Sequence, residues 1–281
     1  MKKVIFISSG QDSLYCLHKA LSETDDDVHA INISQQYNFS KVEIEYTRNY
    51  MNNSVEWLQE NVRDFKFTIV PEIDLNWGSQ IPWRKRTYEG LSEESVKIIK
   101  YSNAKYKADR FAMQIVERDF NFGHYGKFYN ADEIIIGVDY YQSQNQARID
   151  GTASIAQIEF GMDFNMPIAE SKLGRISVYE ALPEGLRDVM IPCSTAWRDD
   201  ASRAWRAGPG EKCNNCRKCL TSAAYEKVNL TDSLTVKELD DILHNHVINH
   251  ENYQQLSAMI IVQQKLRAYL GISLAPINIG D

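Results

Sequence analysis

A carboxylate and several small hydroxyl side chains follow an apolar run at the start of the chain. Residues 2–7 (KKVIFI) predict a strand, residues 8–13 (SSGQDS) a turn, and residues 14–21 a helix. Small side chains in such a turn let backbone N–H groups reach phosphate oxygens, and the helix N-terminus adds positive potential. The Asp12 carboxylate suits a Mg²⁺ that bridges phosphates. The turn therefore predicts a nucleotide phosphate site; an ordinary helix cap is the alternative.

Four of the five cysteines fall within 27 residues of sequence: Cys193, Cys213, Cys216 and Cys219. Four thiolates are the ligand set of a closed tetrahedral Zn²⁺ site, and in a cytosolic chain this clustering favours metal over disulfides. A redox Cys-x-x-Cys pair and an iron–sulfur cluster remain the alternatives. Cys16 lies among apolar residues of the first helix, and we expect it to be a core residue.

Size and charge narrow the classes of function. A chain of 281 residues with 43% hydrophobic residues is long enough for one large domain with a small appendage. The net charge of −7 disfavours a polyanion such as tRNA or DNA as partner. No apolar run approaches the length of a membrane span, and the first one is too short for a secretory signal. These features predict a cytoplasmic protein without a membrane partner.

Strands and helices alternate along the chain. Beyond the first pair, we expect strands at 28–33, 65–70, 131–138 and 165–169. We expect helices at 42–60, 92–101, 107–120, 153–160, 177–182 continued by 184–189, 236–242 and 253–269. Such alternation predicts an α/β fold with a doubly wound parallel sheet, followed by a zinc-binding, helical C-terminal region. The expected division is 1–190 for the sheet domain, 191–225 for the cysteine motif and 226–281 for a helical extension.

The turn at residues 8–13 resembles the PP-loop, Ser-Gly-Gly-x-Asp-Ser, of the N-type ATP pyrophosphatases. Ser9 stands where that motif usually has glycine, and a positive φ there would strain a serine. An N-terminal PP-loop with a four-cysteine motif resembles one family in particular, the 7-cyano-7-deazaguanine synthases (QueC family), over roughly residues 3–225. Further segments similar to that family are Gln36-Tyr37 with Glu43-Ile44, IPWR at 81–84, IIGV at 135–138, MPI at 166–168 with Lys172, and PCS at 192–194.

The resemblance implies a fold like that of the adenine nucleotide alpha hydrolases, and ATP, Mg²⁺ and Zn²⁺ as cofactors. It implies a ligase that adenylates the carboxylate of 7-carboxy-7-deazaguanine and, with ammonia, makes 7-cyano-7-deazaguanine by way of the amide. The catalytic residues it implies are Asp12, Ser13 and Lys172. The nucleotide-binding residues it implies are Ser8, Ser9, Gly10, Gln11, Asp12, Ser13, Ile33, Arg84 and Gly137. The substrate-binding residues it implies are Asp139, Tyr140 and Arg148, and the zinc ligands are Cys193, Cys213, Cys216 and Cys219.

Two other functions stay open at the level of sequence. The segment 139–150 and the helices after the last cysteine depart from the family, which favours a relative of the antiviral-defence enzymes that attach the activated deazaguanine to a protein amine. Ser9 and a missing glycine after Tyr37 are the support for an inactive nucleotide-binding scaffold. Enzymes acting on tRNA are disfavoured by the acidic balance. We also expect a homodimer, and a protein contact through the C-terminal helices.

Overall fold

The computed structural model describes residues 1–34, 41–71, 121–138, 161–162, 164–192, 219, 221–223, 225–226 and 235. The strands in this part of the chain are β1 (Lys2–Phe6), β2 (Asp27–Ser34), β3 (Lys66–Pro71), β4 (Glu133–Ile136) and β5 (Phe164–Asn165). Its helices are α1 (Gln11–Glu23), α2 (Lys41–Asn61), α3 (121–128), α4 (Pro167–Glu170), α5 (Arg175–Ala181) and α6 (Glu184–Val189).

The five strands form one sheet in the order β3-β2-β1-β4-β5, and every neighbouring pair is parallel. Phe6 of β1 lies opposite Ile31 of β2 on one side and Ile136 of β4 on the other. The central strands are short apolar runs because a parallel sheet is covered on both faces. The predicted α/β fold with a parallel sheet is confirmed, and so are the predicted positions of β1 to β4.

Alternate residues of each strand enter separate cores on the two faces of the sheet. On one face, Ile5 and Ile135 pack in a cluster that includes Leu14 of α1, Leu58 of α2 and Val178 of α5. On the other face, Val4, Phe6 and Ile134 pack with Tyr125 of α3, and the rings of Phe6 and Phe122 lie 4.4 Å apart. Helices on both faces make the sheet doubly wound, as the sequence predicts.

The last predicted strand, at 165–169, is present, but its predicted extent is wrong. The strand is Phe164–Asn165, and α4 begins directly afterwards at Pro167. Proline is favoured in the first turn of a helix, because its missing N–H would have no partner there and its φ is already helical. The apolar residues Met166 and Ile168 thus belong to a helix start and not to a continuing strand.

The other differences between the predicted and the observed helices arise at proline and glycine residues. The expected continuous helix from 177 to 189 is two helices, separated at Pro183, which lacks the N–H that a continuing helix needs. Helix α3 was not predicted, because Gly123 and Gly126 weaken its helical pattern. Gly126 faces the sheet: a Cβ there would meet the Ile134 side chain, so glycine allows this helix to lie close to β4.

Several expectations lie outside the described residues, namely the helices at 92–101, 107–120, 153–160, 236–242 and 253–269. The division of the chain into three parts stays a prediction. No helix among the described residues is long and apolar enough to cross a membrane.

Burial of His29 makes the free energy of unfolding of this protein depend on pH. It is 5% exposed in β2, and its Nε2 lies 2.9 Å from the Thr68 hydroxyl. Burial, reinforced by Lys2 and Lys66 and opposed by Asp27, lowers its pKa below the ordinary 6.5. In the unfolded chain His29 therefore takes up its proton at a higher pH than in the folded protein. Between those two pH values the unfolded state binds more protons, so the free energy of unfolding decreases as pH falls below about 6.5.

We predict that His29→Gln reduces the loss of stability between pH 7.5 and pH 5.5, measured by urea unfolding at both pH values. Part of the loss remains, because burial lowers the pKa of His18 as well. The control is His124→Gln, at an exposed position of α3, which keeps the wild-type loss. An unchanged loss in His29→Gln would contradict the assignment.

Candidate functional site

The strand order reverses between β1 and β4, and the chain forms a hydroxyl-rich turn at that point. From β1 the chain proceeds outward through β2 and β3 on one side, and β4 and β5 lie on the other. In open parallel sheets, ligands bind beyond the carboxyl ends of the strands at such a switch point. Ile7 to Gly10 leave β1 at this place, and α1 begins at Gln11.

Hydrogen bonds within the turn fix its shape. The Ser8 N–H donates to Ser13 Oγ at 3.0 Å, and the Gly10 N–H donates to Ser8 Oγ at 3.2 Å. Ser13 Oγ also lies 3.1 Å from the carbonyl oxygens of Ser8 and Gly10. The N-cap residue of α1 is Gly10, which has no side chain to accept a hydrogen bond from the helix. Its place at the start of α1 therefore leaves the first N–H groups of the helix the donor capacity that helix N-termini offer to anions.

Ser9 fits this turn without strain of the backbone. The non-glycine residues with positive φ in the described part of the chain are Asn130 and Lys172, and Ser9 is not among them. Its side chain is 2% exposed, and its carbonyl accepts a hydrogen bond of 3.3 Å from the N–H of Ile191. The serine in place of the motif's usual glycine therefore does not disturb the turn, and it connects the turn to the chain after α6.

Gly137 brings the end of β4 against the first turn of α1. A Cβ atom at this position would lie 2.6 Å from Asp12 C and Ser13 N, and 2.7 Å from the Asp12 carbonyl oxygen. These are backbone atoms, so the contact cannot relax by rotation of a side chain. The close approach requires glycine, and it holds the helix N-terminus at the switch point. Gly137 thus lies beside the turn, and its role in nucleotide binding stays a prediction.

Arg175, the first residue of α5, contacts the start of α1 although it is distant from it in the sequence. Its Nη1 lies 3.2 Å from Asp12 Oδ2, and the exposed fractions of the two side chains are 11% and 18%. Gln11 Nε2 donates to the Arg175 carbonyl at 2.7 Å. Adjacent residues of α1 thus hold both the backbone and the guanidinium of Arg175. Sequence analysis missed this residue, since it lies 163 positions from Asp12 and carries no local signal.

One oxygen of the Asp12 carboxylate, Oδ2, belongs to that ion pair, and the other, Oδ1, does not. Oδ1 is buried and has no hydrogen-bond partner among the described residues. Mg²⁺ is usually bound by one or two carboxylates together with phosphates and waters. One buried carboxylate oxygen without a described partner, beside a turn that is predicted to bind phosphate, fits that requirement. The described residues contain no group of three or more metal-ligating side chains, so the metal would depend on the phosphates for its other ligands.

Lys172 holds an unusual backbone conformation at the carboxyl edge. It follows α4 with φ 54°, its N–H donates to Ala169 O at 3.1 Å, and the Leu173 N–H donates to Ile168 O at 3.0 Å. This pair of bonds is the Schellman motif, in which glycine is preferred at the left-handed position. The side chain is exposed three residues before Arg175. A lysine at this position carries a backbone cost that glycine would avoid, and its predicted catalytic role stays a prediction.

The remaining expected residues divide into three groups. Ile33 lies at the end of β2 opposite Val70, beside the site but packed in the second core. Cys16 is 1% exposed in the first core, and burial, with Asp12 as a smaller cause, raises the pKa of its thiol. It is a core residue, as predicted. Outside the described residues lie Arg84, Asp139, Tyr140, Arg148, Cys193, Cys213 and Cys216.

No protein-family model matches this sequence, and no curated protein matches it. Among solved structures, the chain is similar to the U34-tRNA thiolase NcsA from Methanococcus maripaludis with its 4Fe-4S cluster. The identity is 15%, the match covers 100% of this chain and 76% of that chain, and the TM-score is 0.42. At this identity and TM-score, the similarity supports no conclusion about family or function. The fold class follows from the strand order and the parallel strand pairing of this protein.

We predict that Gly137→Ala lowers the free energy of unfolding by about 1–3 kcal/mol, the usual cost of overpacking, and weakens ATP binding in addition. The control is Gly126→Ala, where the added methyl group meets the Ile134 side chain, away from the turn. That variant is expected to lose stability and keep its affinity for ATP. Urea unfolding and calorimetric titration with ATP measure the two effects. Equal ATP affinity in wild type and Gly137→Ala would contradict the placement of the site.

Proposed function

We propose that this protein binds ATP on the turn of residues 7–13 and transfers AMP to a substrate carboxylate, releasing pyrophosphate. The observation that carries the proposal is the convergence of three features at the switch point: a helix N-terminus with glycine as its N-cap residue, a closed hydroxyl turn, and the partly buried Asp12 carboxylate. Backbone N–H groups suit phosphate oxygens. A buried carboxylate oxygen with no described partner suits a metal that accompanies the nucleotide.

The resemblance of this turn and of the cysteine motif to the QueC family supports a specific substrate, 7-carboxy-7-deazaguanine. A carboxylate must first acquire a leaving group before nitrogen can attack it. Attack of the carboxylate on the α-phosphorus gives an acyl adenylate and pyrophosphate, and ammonia then displaces AMP to give the amide. The amide oxygen then attacks the α-phosphorus of a second ATP and releases pyrophosphate, and loss of AMP and of the two amide protons gives the nitrile. Exclusion of water from the acyl adenylate is the main task of the site.

Each residue of the site has a role in this proposal. The N–H groups at the start of α1 bind phosphate oxygens, and the Ser13 hydroxyl keeps the turn closed. Asp12 would hold Mg²⁺, and the ion would supply stabilisation of negative charge on the pyrophosphate. The Arg175 guanidinium, already beside Asp12 at 3.2 Å, and the Lys172 ammonium offset the remaining negative charge. The four cysteines hold a structural Zn²⁺ in this proposal, and Arg84, Asp139, Tyr140 and Arg148 contact nucleotide or substrate.

The test of the function is mass spectrometry of the products formed from ATP, 7-carboxy-7-deazaguanine and ammonia. Amide and nitrile together with AMP support the proposal. A mass increase on a protein amine in place of free nitrile would instead support the antiviral-defence alternative. Absence of pyrophosphate release under all these conditions would overturn the proposal in favour of an inactive scaffold. Sedimentation of the same sample tests the expected homodimer.

We predict that Asp12→Asn lowers the rate of pyrophosphate release by about 100-fold or more, the usual effect of removing an electrostatic group from a reacting centre. The substitution keeps the shape of the side chain but leaves the Arg175 guanidinium without its ion-pair partner. Urea unfolding of the variant therefore accompanies the rate measurement, and the rates are compared where both proteins are folded. Asp188→Asn, at an exposed position of α6, is the control and is expected to retain full activity. Unchanged turnover in Asp12→Asn would exclude this carboxylate from the chemistry.

For Lys172 we predict opposite changes in stability and activity. Lys172→Gly relieves the left-handed backbone and raises the free energy of unfolding by about 1 kcal/mol, while turnover falls because the ammonium is lost. Asn130→Gly is the control: it changes the other described non-glycine residue with positive φ, at the turn before β4, and is expected to leave turnover unchanged. Urea unfolding and pyrophosphate release are the measurements. A stabilised Lys172→Gly with full activity would remove Lys172 from the site.

A further inference from the structure

We propose that Arg175 makes the turn able to bind phosphate by acting through Asp12: its guanidinium cancels the charge of that carboxylate, which would otherwise repel the anion. This inference rests on the proposed function, because it takes ATP as the ligand of the turn. It deepens that function by giving Arg175 an effect on phosphate binding in the absence of any cation and without a contact between the guanidinium and the phosphate.

Asp12 is an unfavourable residue at a phosphate site unless its charge is compensated. It lies in the first turn of α1, where a carboxylate is attracted by the partial positive charge of the helix N-terminus. That partial charge is about half an elementary charge, so one carboxylate more than cancels it. A phosphate at the same helix end would then meet a net negative charge, and like charges repel.

The Arg175 guanidinium supplies the compensating charge. Its Nη1 donates to Asp12 Oδ2 at 3.2 Å, and the two side chains are 11% and 18% exposed. Water and salt screen a partly buried pair much less than an exposed one. Because an arginine side chain does not lose its proton in proteins, the compensation persists at every pH at which binding is measured. With both charges present, the helix N-terminus keeps the positive potential that suits an anion.

Gln11 holds Arg175 within reach of Asp12. Its side chain is 3% exposed, and its Nε2 donates to the Arg175 carbonyl at 2.7 Å. The amide of a residue that the sequence predicts to bind nucleotide is thus bonded to the backbone of Arg175. Two adjacent residues of α1 hold two different groups of one arginine, which fixes the start of α5 beside the start of α1. In this arrangement Gln11 acts on the nucleotide site by way of Arg175.

A double-mutant cycle separates an effect through Asp12 from a direct contact with phosphate. Calorimetry with ATP in excess EDTA gives the metal-free Kd of wild type, Arg175→Met, Asp12→Asn and the variant with both changes. We expect Arg175→Met to weaken binding about 10-fold or more, the size expected for unit charges a few ångströms apart near a protein surface. Asp12→Asn is expected to bind metal-free ATP more tightly than wild type, and the double variant to return close to the wild-type Kd.

Two further variants separate charge from general damage to the fold. Arg175→Lys keeps the positive charge and is expected to keep most of the affinity. Arg63→Met is the matched control at the other end of α1: Arg63 Nε donates to the Leu21 carbonyl and Nη2 to the Asp26 carbonyl, both at 2.9 Å. Its loss is expected to lower stability and leave the metal-free Kd unchanged. Urea unfolding of every variant sets the conditions under which all of them are folded.

The possible failures are distinct from one another. If wild type binds ATP neither with Mg²⁺ nor with EDTA, the proposed function fails and this inference fails with it. Binding with Mg²⁺ but not with EDTA would overturn the inference alone. A double variant as weak as Arg175→Met would show a direct contact with phosphate, and equal losses of affinity in Arg63→Met and Arg175→Met would show a structural role; either result overturns the inference. If Arg175→Met does not fold, weaker metal-free binding in Asp12→Asn than in wild type overturns it.

Discussion

The contact between Gly137 and the first turn of α1 is the constraint on which the candidate site depends. With backbone atoms of Asp12 and Ser13 within 2.7 Å of where a Cβ would be, the end of β4 and the start of α1 cannot separate or slide without loss of packing. The parallel register of β1 with β4 sets the position of one partner, and the turn after β1 sets the other. The helix N-terminus is therefore held by the sheet itself, and its N–H groups point to a fixed place beyond the strand ends.

The charges at that place are arranged around the same turn. Asp12 and Arg175 are both largely buried, and removal of either partner would leave an uncompensated charge at low exposure. The two opposite charges cancel, so the pair adds no net charge to the place where the negatively charged phosphate is proposed to bind. The second oxygen of Asp12 is buried and has no described hydrogen-bond partner. A buried polar atom without a partner costs free energy, and in the proposed function this oxygen would bind the cation that accompanies the nucleotide.

Sequence reasoning succeeded where the signal is local. The apolar runs of β1 to β4 and the hydroxyl turn lie within a few residues of each other, and both the parallel sheet and the position of the turn follow from them. The predictions from sequence failed where the structure depends on very short elements or on contacts between residues that are distant in the sequence. Strand β5 has two residues, too few for any period, and Pro167 begins a helix that apolar neighbours concealed. Arg175 meets Asp12 only because α5 packs on α1, which no pattern near residue 175 announces.

Helices α5 and α6 form a unit that contacts the turn at both of its ends. Arg175 opens α5 at the ion pair with Asp12, and Ile191 follows α6 at the hydrogen bond to Ser9. Because Pro183 breaks the helix between them, the two short helices fold back and bring both ends to one turn. Arg187 closes this unit by capping the end of α5 and stacking on Tyr225. This unit is therefore attached to the turn at two points, and two points of attachment fix its orientation where a single contact would allow rotation.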